Sequence, residues 1–272
     1  MKQYHKVLTI AGSDSGGGAG IQADIKTISA CGCYAASAIT AITVQNTIGV
    51  SSVHPVPVPY IAAQIEAVLE DIGADAIKIG MLHSKEVVHC VAQLIHKYQI
   101  RKVVIDPVMV STSGHRLIEE SAIQSLSTEL FPLASVITPN IPEAEILLGG
   151  VSLDHQSLLE GATRQLGEKF STSVLLKAGH LTEDRLVDFF YNQEDGQIIP
   201  LPSVRIHTRN THGTGCTMSS AFASLLAKGL SPIDAARNAK EFINGAIIAG
   251  ADYKIGHGHG PVKHFFALWS NE

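Results

Sequence analysis

The sequence predicts an α/β protein built on a mostly parallel central sheet with helices on both faces. Three observations carry that prediction. Short apolar runs that read as strands alternate with helical patterns over most of the chain. Hydrophobic residues make up 45% of the 272 residues and charged residues 17%, enough apolar side chain for a large core and too little polarity for disorder. No internal repeat and no long linker breaks the alternation, so residues 1–272 are expected to form one domain.

Val7–Ala11 is an apolar run ending at Gly12 and reads as the first strand. Ala19–Ala30 reads as a helix. Tyr34–Val44, rich in Ala, Ile, Thr and Val, reads as a strand with an interruption. Ile61, Ile65, Val68 and Leu69 recur at helical spacing and predict a helix over Tyr60–Asp71. There follow a strand at Ala76–Ile79, a helix at Lys85–Tyr98, a strand at Lys102–Ile105 and a helix at Glu119–Thr128. Next come strand Ser135–Thr138, helices Pro142–Leu148 and Gln156–Phe170, and strand Ser173–Leu176. Leu186–Tyr191 and Gln197–Leu201 flank the polar turn Asn192–Gly196 and read as a β-hairpin. Helices at Thr214–Lys228 and Pro232–Ala249 close the chain. Open sheets of this kind bind ligands beyond the carboxyl ends of their strands, so functional residues are expected just after strands.

Charge and cysteine usage exclude several classes. The net charge is −5, and no Lys/Arg cluster exceeds a dipeptide, so nucleic acid is not an expected partner. The cysteines Cys31, Cys33, Cys90 and Cys216 are too few to need a disulfide framework, and Cys31-Gly32-Cys33 is too tight for a C-x-x-C motif. The amino-terminal residues run into a strand pattern without an apolar signal region, and no apolar stretch is long enough to span a membrane. A cytoplasmic protein without membrane contact is the expectation.

Five segments carry candidate chemistry. Gly12-Ser13-Asp14-Ser15-Gly16-Gly17-Gly18-Ala19-Gly20 follows a strand and opens a helix. Its glycines allow positive φ and close backbone approach to a ligand. It is no Walker A loop, since no Lys-Ser or Lys-Thr closes it, and Gly18-x-Gly20-x-x-Ala23 lies too far past the strand for a dinucleotide fingerprint. The alternative is a structural turn. Thr211-His212-Gly213-Thr214-Gly215-Cys216 precedes an apolar helix, so the Gly213, Thr214 and Gly215 backbone can form an anion hole at a helix N-terminus. Cys216 would then lie in the first helical turn, where a thiol pKa tends to fall. The plainer reading makes Thr214 a cap and Cys216 a small buried hydrophobe.

Thr138-Pro139-Asn140-Ile141-Pro142-Glu143 offers Asn140 as an N-cap and Glu143 as a first-turn carboxylate. The same pair could hold Mg²⁺ through water. Asp106 ends a strand at Asp106-Pro107-Val108-Met109 and is either a metal or phosphate-site carboxylate or a turn residue. Lys177 closes the apolar run Val174-Leu175-Leu176 and either meets an anion or reaches solvent along its stem. His257-Gly258-His259-Gly260 lacks nearby partner ligands and reads as a glycine-rich turn rather than a metal site.

Taken in order, Ala11–Ser15, Gly18–Asp24, Gln45-Asn46-Thr47, Gly80-Met81-Leu82, Asp106-Pro107-Val108, Thr138-Pro139-Asn140 with Glu143, His212–Thr217, Gly258–Val262 and His264-Phe265 resemble one family. That family is hydroxymethylpyrimidine/phosphomethylpyrimidine kinase, within the ribokinase-like superfamily. Each motif is short; their order over nearly the whole chain makes the resemblance specific. It implies a ribokinase-like three-layer fold, ATP and Mg²⁺ as cofactors, a homodimer, and two successive phosphorylations of 4-amino-5-hydroxymethyl-2-methylpyrimidine in thiamine biosynthesis. By resemblance Gln45 hydrogen-bonds the aminopyrimidine edge, which an amide suits by offering donor and acceptor together. Gly12, Asp24, Val44, Met81 and Val108 match pocket positions. Asp106, Asn140 and Glu143 match the Mg-ATP phosphate region, with Asp106 and Glu143 near the metal through water. Lys177 matches a phosphate-contacting lysine, and Gly213, Thr214 and Gly215 match the anion hole. Gly16–Gly20 is a hinge candidate for a lid.

Cys216 departs from the sugar kinases of the superfamily, which carry Asp at that place as base for the attacking hydroxyl. A pyridoxine or pyridoxal kinase of the same fold is the alternative, because some vitamin B6 kinases carry Gly-Thr-Gly-Cys as well. Val44-Gln45-Asn46-Thr47 resembles the pyrimidine branch. A non-catalytic pyrimidine-binding protein is a further alternative, against which Asp106, Glu143, Lys177 and Cys216 all stand.

Overall fold

The computed structural model describes residues 2–109 and 118–269. The main sheet contains β1 (Lys6–Ala11), β2 (Tyr34–Ile39), β5 (Ala76–Ile79), β6 (Val103–Ile105), β7 (Val136–Ile137), β8 (Ser173–Leu176), β9 (Arg185–Tyr191) and β10 (Ile198–Val204). Their spatial order is β10-β9-β8-β7-β6-β5-β1-β2. The six strands from β8 across to β2 run parallel, and β9 and β10 add an antiparallel hairpin at one edge. Two further strands, β3 (Ala41–Gln45) and β4 (Val50–Pro55), form a separate antiparallel ribbon.

Alternate residues of each parallel strand face opposite layers, which is why these strands read as continuous apolar runs. Leu8, Ile10, Ile77, Ile79, Val103, Ile105, Val174 and Leu176 meet one layer. That layer holds α2 (Val58–Asp71), α3 (Lys85–Lys97), α4 (Glu120–Ser125), α5 (Ile141–Leu147) and α6 (Gln156–Phe170). Val7, Ala76, Val104, Val136 and Leu175 meet the other, formed by α1 (Gly20–Ala30), α7 (Thr214–Ala227) and α8 (Pro232–Gly250). Burial of each large aliphatic side chain contributes about 1.5–3 kcal/mol, so the two cores are the main favourable term of the fold.

The α/β architecture and the hairpin across Asn192–Gly196 agree with the sequence reading. Three local readings do not, and one strand was not read. The run Tyr34–Val44 is two strands: at Thr40 the chain leaves the main sheet, its amide donating to Ala11 O at 3.0 Å and its hydroxyl to Met81 O at 2.8 Å. β4 went unread because five of its six residues are exposed, so no buried face imposes an alternating pattern. The helix expected over Glu119–Thr128 ends at Ser125, gives way to a π turn over Leu126–Leu130, and tightens to a 3-10 turn at Phe131–Leu133. Pro132 has no N–H to extend the ladder, so the helical run closes in the 3-10 turn. β10 runs three residues past its expected end despite Pro200 and Pro202; as an edge strand it tolerates missing donors. Among the described residues no helix is long and apolar enough to cross a membrane.

Candidate active site

A cavity of about 680 Å³ opens at the carboxyl edge of the parallel strands. Its lining follows the rule for open sheets: Gly12 comes after β1, Gly80 and Met81 after β5, Asp106 after β6, Asn140 after β7 and Lys177 after β8. The opposite wall comes from the segment before α7 and from α8, including Lys240, Ile243 and Asn244.

The two glycine segments have different roles. The Asp14 carboxylate turns back into its own loop and accepts the backbone N–H groups of Gly16 at 2.8 Å, Gly18 at 3.0 Å and Ala19 at 2.8 Å. It also accepts from His212 Nε2 at 2.8 Å. Burial opposes the charge on Asp14, but the His212 hydrogen bond and the Ala19 and Gly16 amides hold its carboxyl below the usual carboxylate range. These loop amides are therefore occupied from within. At the second segment, Gly213 has φ of +80° and packs so closely that a Cβ there would meet the Gly18 carbonyl. This turn delivers the first-turn amides of α7 to the cavity, where helix geometry leaves them without intrahelical acceptors.

Asp106, Lys177 and Glu143 form the charged end. Lys177 Nζ lies 2.8 Å from Asp106 Oδ1, and Thr138 Oγ1 donates to the same oxygen at 2.9 Å. Burial disfavours the Asp106 charge, yet Lys177 and Lys78 outweigh it and hold the carboxyl low. Lys177 keeps its proton although burial opposes it, because Asp106 and Glu143 face it. Glu143 is buried, and its carboxyl is pushed up to about 7 by that burial, against the pull of Lys177 and with the aid of Asp106. Asn140 and Glu143 also form a reciprocal capping box: Asn140 N donates to Glu143 Oε2 at 2.9 Å and Glu143 N to Asn140 Oδ1 at 3.0 Å. A Cβ on Gly215 would stand 3.1 Å from Lys177 Nζ and 3.2 Å from Asp106 Oδ2, so the bare α7 backbone lies directly over this pair.

At the other end, Gln45 closes β3. Its side-chain oxygen accepts from Thr43 Oγ1 at 3.2 Å, and Ser15 Oγ bridges its backbone N–H and C=O at 2.9 and 2.6 Å. Its amide nitrogen is 3.3 Å from His212 Nε2. His212 Nε2 thus stands between the Gln45 amide and the Asp14 carboxylate.

Gly12, Gln45, Met81, Asp106, Val108, Asn140, Glu143, Lys177, Gly213, Thr214, Gly215 and Cys216 all line the cavity. Two expected pocket residues do not. Asp24 is fully buried beneath the floor, where its carboxylate is consumed by Lys78 at 2.8 and 2.9 Å, Thr9 at 2.6 Å and Ser220 at 2.8 Å. Val44 points outward from the ribbon and is 57% exposed. Of the two readings of Cys216, the surroundings favour the buried one. Burial pushes the thiol up to about 11; Lys78 opposes this, while Asp24 and Asp106 reinforce it, so the resting side chain is a neutral thiol.

Asp14, Lys78 and His212 were not singled out from sequence, nor was the α8 wall. A lysine inside the apolar strand Ala76–Ile79 was the available signal for Lys78. The turn at His257–Gly260 fastens the tip of the β3–β4 ribbon, where His259 N donates to Thr47 O at 2.8 Å. Among the described residues no three His, Cys, Asp or Glu side chains converge as metal ligands.

Comparison with known proteins places this geometry. A family model described as "Phosphomethylpyrimidine kinase" matches residues 14–263. The chain is 44% identical over 264 residues to the hydroxymethylpyrimidine/phosphomethylpyrimidine kinase of Rhizobium meliloti, covering 97% of this chain and 98% of that one. It is 48% identical over 262 residues to the thiamine biosynthesis bifunctional protein ThiED of Geobacter sulfurreducens, covering 96% of this chain but only 52% of that relative. Among solved structures, an ADP complex of Bacillus subtilis pyridoxal kinase superposes with a TM-score of 0.90 at 37% identity, covering 98% of this chain and 100% of the other.

Proposed function

The chain belongs to the phosphomethylpyrimidine kinase family, a phosphotransferase family with the ribokinase-like fold, and from that premise we propose that it phosphorylates 4-amino-5-hydroxymethyl-2-methylpyrimidine and then its monophosphate, with ATP as donor, in thiamine biosynthesis. The observation that carries this reading is one cavity with two chemically distinct ends. Gln45 stands at one end, and Lys177, Asp106, Glu143 and the α7 N-terminus stand at the other. The reading takes 1–272 as one kinase domain, which the continuous sheet from β1 to β10 supports.

In this reading Gln45 pairs with the aminopyrimidine edge, Gly12 and Met81 bound the ring, and Val108 closes the pocket. The nucleoside lies toward β10 and α8, so that its phosphates reach Lys177 and the amides of Gly215 and Cys216. The acceptor oxygen attacks the terminal phosphorus, the bond to the ADP oxygen breaks, charge spreads over the transferring group, and an alcohol acceptor gives up its proton to a phosphoryl oxygen or to solvent. Lys177 and the α7 amides stabilise that charge without reorganising, which is the dominant catalytic term expected here.

Asp106 and Glu143 fit a Mg²⁺ that keeps most of its shell as water and nucleotide oxygens, the usual binding mode of that ion. Two buried carboxylates beside Lys177 suit that mode, and a three-ligand protein cage does not occur among the described residues. When bound, the ion neutralises phosphate charge. With a thiol neutral at rest, Cys216 does not act as a preformed base. A loose transition state makes little demand for one, and the monophosphate acceptor makes none. The homodimer and the cytoplasmic location implied by the resemblance belong to the same reading.

Side-by-side assays of ATP-dependent turnover of hydroxymethylpyrimidine, its monophosphate and pyridoxine, with Cys216→Ala as control, test the proposal. Turnover of both pyrimidines well above pyridoxine is expected. Turnover of pyridoxine alone would transfer the chain to the vitamin B6 reading, which the superposition with pyridoxal kinase favours. Binding without turnover would make it a pyrimidine-binding protein.

A further inference from the structure

The pair Lys78–Asp24 is the least expected feature of the fold. Both side chains are fully buried, with Nζ 2.8 Å from the carboxylate, between β5, α1 and α7. Lys78 occupies a strand position whose neighbours face an apolar helix layer. Burying two charges costs several kcal/mol per ion, and apolar residues of similar volume often serve stability as well or better. The pair is therefore poorly explained by stability.

Its orientation is informative. Asp24 is the deep end, held by Thr9 Oγ1 at 2.6 Å and Ser220 Oγ at 2.8 Å, and it does not line the cavity. Lys78 does line the cavity. Gly80 leaves the opening above it, since a Cβ on Gly80 would lie 2.9 Å from Lys78 Nζ and 3.0 Å from Ala11 Cβ. Ser220 is one helical turn after Cys216 on the same face of α7, so the pair sits under the Cys216 corner of the site. Burial pushes the lysine pKa down, but Asp24 more than offsets that, so Lys78 stays charged.

Resting on the kinase reading above, we propose that Lys78 is a specificity-determining residue for the anionic acceptor. The Lys78–Asp24 pair is neutral as a whole, but Lys78, itself without exposed surface, is the member nearer the cavity, so the positive end of the pair lies toward the acceptor. A fixed, water-excluded cation acts strongly on a charge developing or bound nearby. The alcohol acceptor of the first phosphorylation is uncharged, whereas the monophosphate acceptor of the second is an anion. Lys78 thus lets one pocket take both, by favouring the second more than the first.

The test measures kcat/KM separately for the alcohol and for its monophosphate. Two variants are compared with the wild-type enzyme: Lys78→Met combined with Asp24→Asn, and Gly80→Ala. The first removes the oriented charges. The second leaves every charge in place and pushes the ammonium away from the opening, so it serves even where the first does not fold. In both, kcat/KM for the monophosphate is expected to fall at least about tenfold more than for the alcohol. A purely structural pair would make both substrates fall together, and that equal loss overturns the inference while leaving the kinase reading intact. Wild-type enzyme inert toward the monophosphate overturns the kinase reading, and this inference with it.

Discussion

His212 and Asp14 are 198 residues apart in sequence, yet the imidazole Nε2 donates to the Asp14 carboxylate at 2.8 Å in the wall of the cavity. The contact joins the loop after β1 to the turn before α7. Those two segments carry the acceptor pocket and the phosphate amides, so one buried pair sets their separation.

Asp14→Ala leaves three loop amides and the His212 ring without their acceptor. Hydrogen bonds to charged groups contribute about 1.5–3 kcal/mol each, so a loss of stability on the order of 3 kcal/mol is expected after partial rehydration. In the kinase reading the acceptor KM rises at least about tenfold, while the ATP KM changes little. Urea unfolding and steady-state kinetics check both. Unchanged stability would show that the loop does not depend on Asp14.

Gly215 and Gly213 separate chemistry from folding. Gly215→Ala puts a Cβ 3.1 Å from Lys177 Nζ and 3.2 Å from Asp106 Oδ2, over the charged pair. A drop in kcat of about 10–100-fold with little change in Tm is expected, since a small misplacement there disturbs the phosphate site. Gly213→Ala instead drives a Cβ into the Gly18 carbonyl at φ of +80°, so its Tm falls as well. Equal behaviour of the two variants in a thermal melt would contradict this division.

Cys216 is a neutral thiol that a carboxylate would replace with a fixed negative charge. In the second phosphorylation that charge would face an acceptor that is already an anion. Cys216→Asp is therefore expected to cost the second step at least about tenfold more than the first. Cys216→Ala, which removes the thiol without adding charge, is expected to affect the two steps alike. The measurement is kcat/KM with each acceptor, and equal losses for Cys216→Asp would remove the electrostatic account of this position.

What the sequence revealed of the fold and the site tracks burial and chain locality. The parallel strands were legible because both faces are buried, which leaves apolar runs such as Val103–Ile105 and Val174–Leu176. The β4 strand was not, because its exposed residues carry no pattern. Asp106, Asn140 and Lys177 were legible as polar residues at strand ends. Asp24 entered the pocket only by resemblance and does not line the cavity; its ionic partner, Lys78, lies 54 residues away, and nothing local in sequence shows that a carboxylate is already taken. The two readings of Cys216 stayed open because a helix N-terminus is visible in sequence, whereas burial beside Asp24 and Asp106 is a property of the assembled site.

His264 supplies a pH prediction. It is 5% exposed, its Nε2 has no hydrogen-bond partner among the described residues, and burial, with Lys26 nearby, lowers its pKa from 6.5 to about 4. In the unfolded chain the imidazole titrates near its ordinary value. Between those two values the unfolded state binds the extra proton and the folded state does not, so stability rises with pH across that window and is lost as pH falls through it. The shift corresponds to about 3 kcal/mol when both states have fully titrated. Other groups titrate in the same range, so the informative quantity is a difference. His264→Leu keeps an apolar side chain in the site and removes the titration. Urea unfolding of wild type and variant at about pH 7.5 and about pH 4 is expected to show the wild type losing more stability than the variant by roughly that amount. Parallel losses in the two proteins would mean that His264 is protonated in the folded state, or solvated, and the buried neutral imidazole would have to be abandoned.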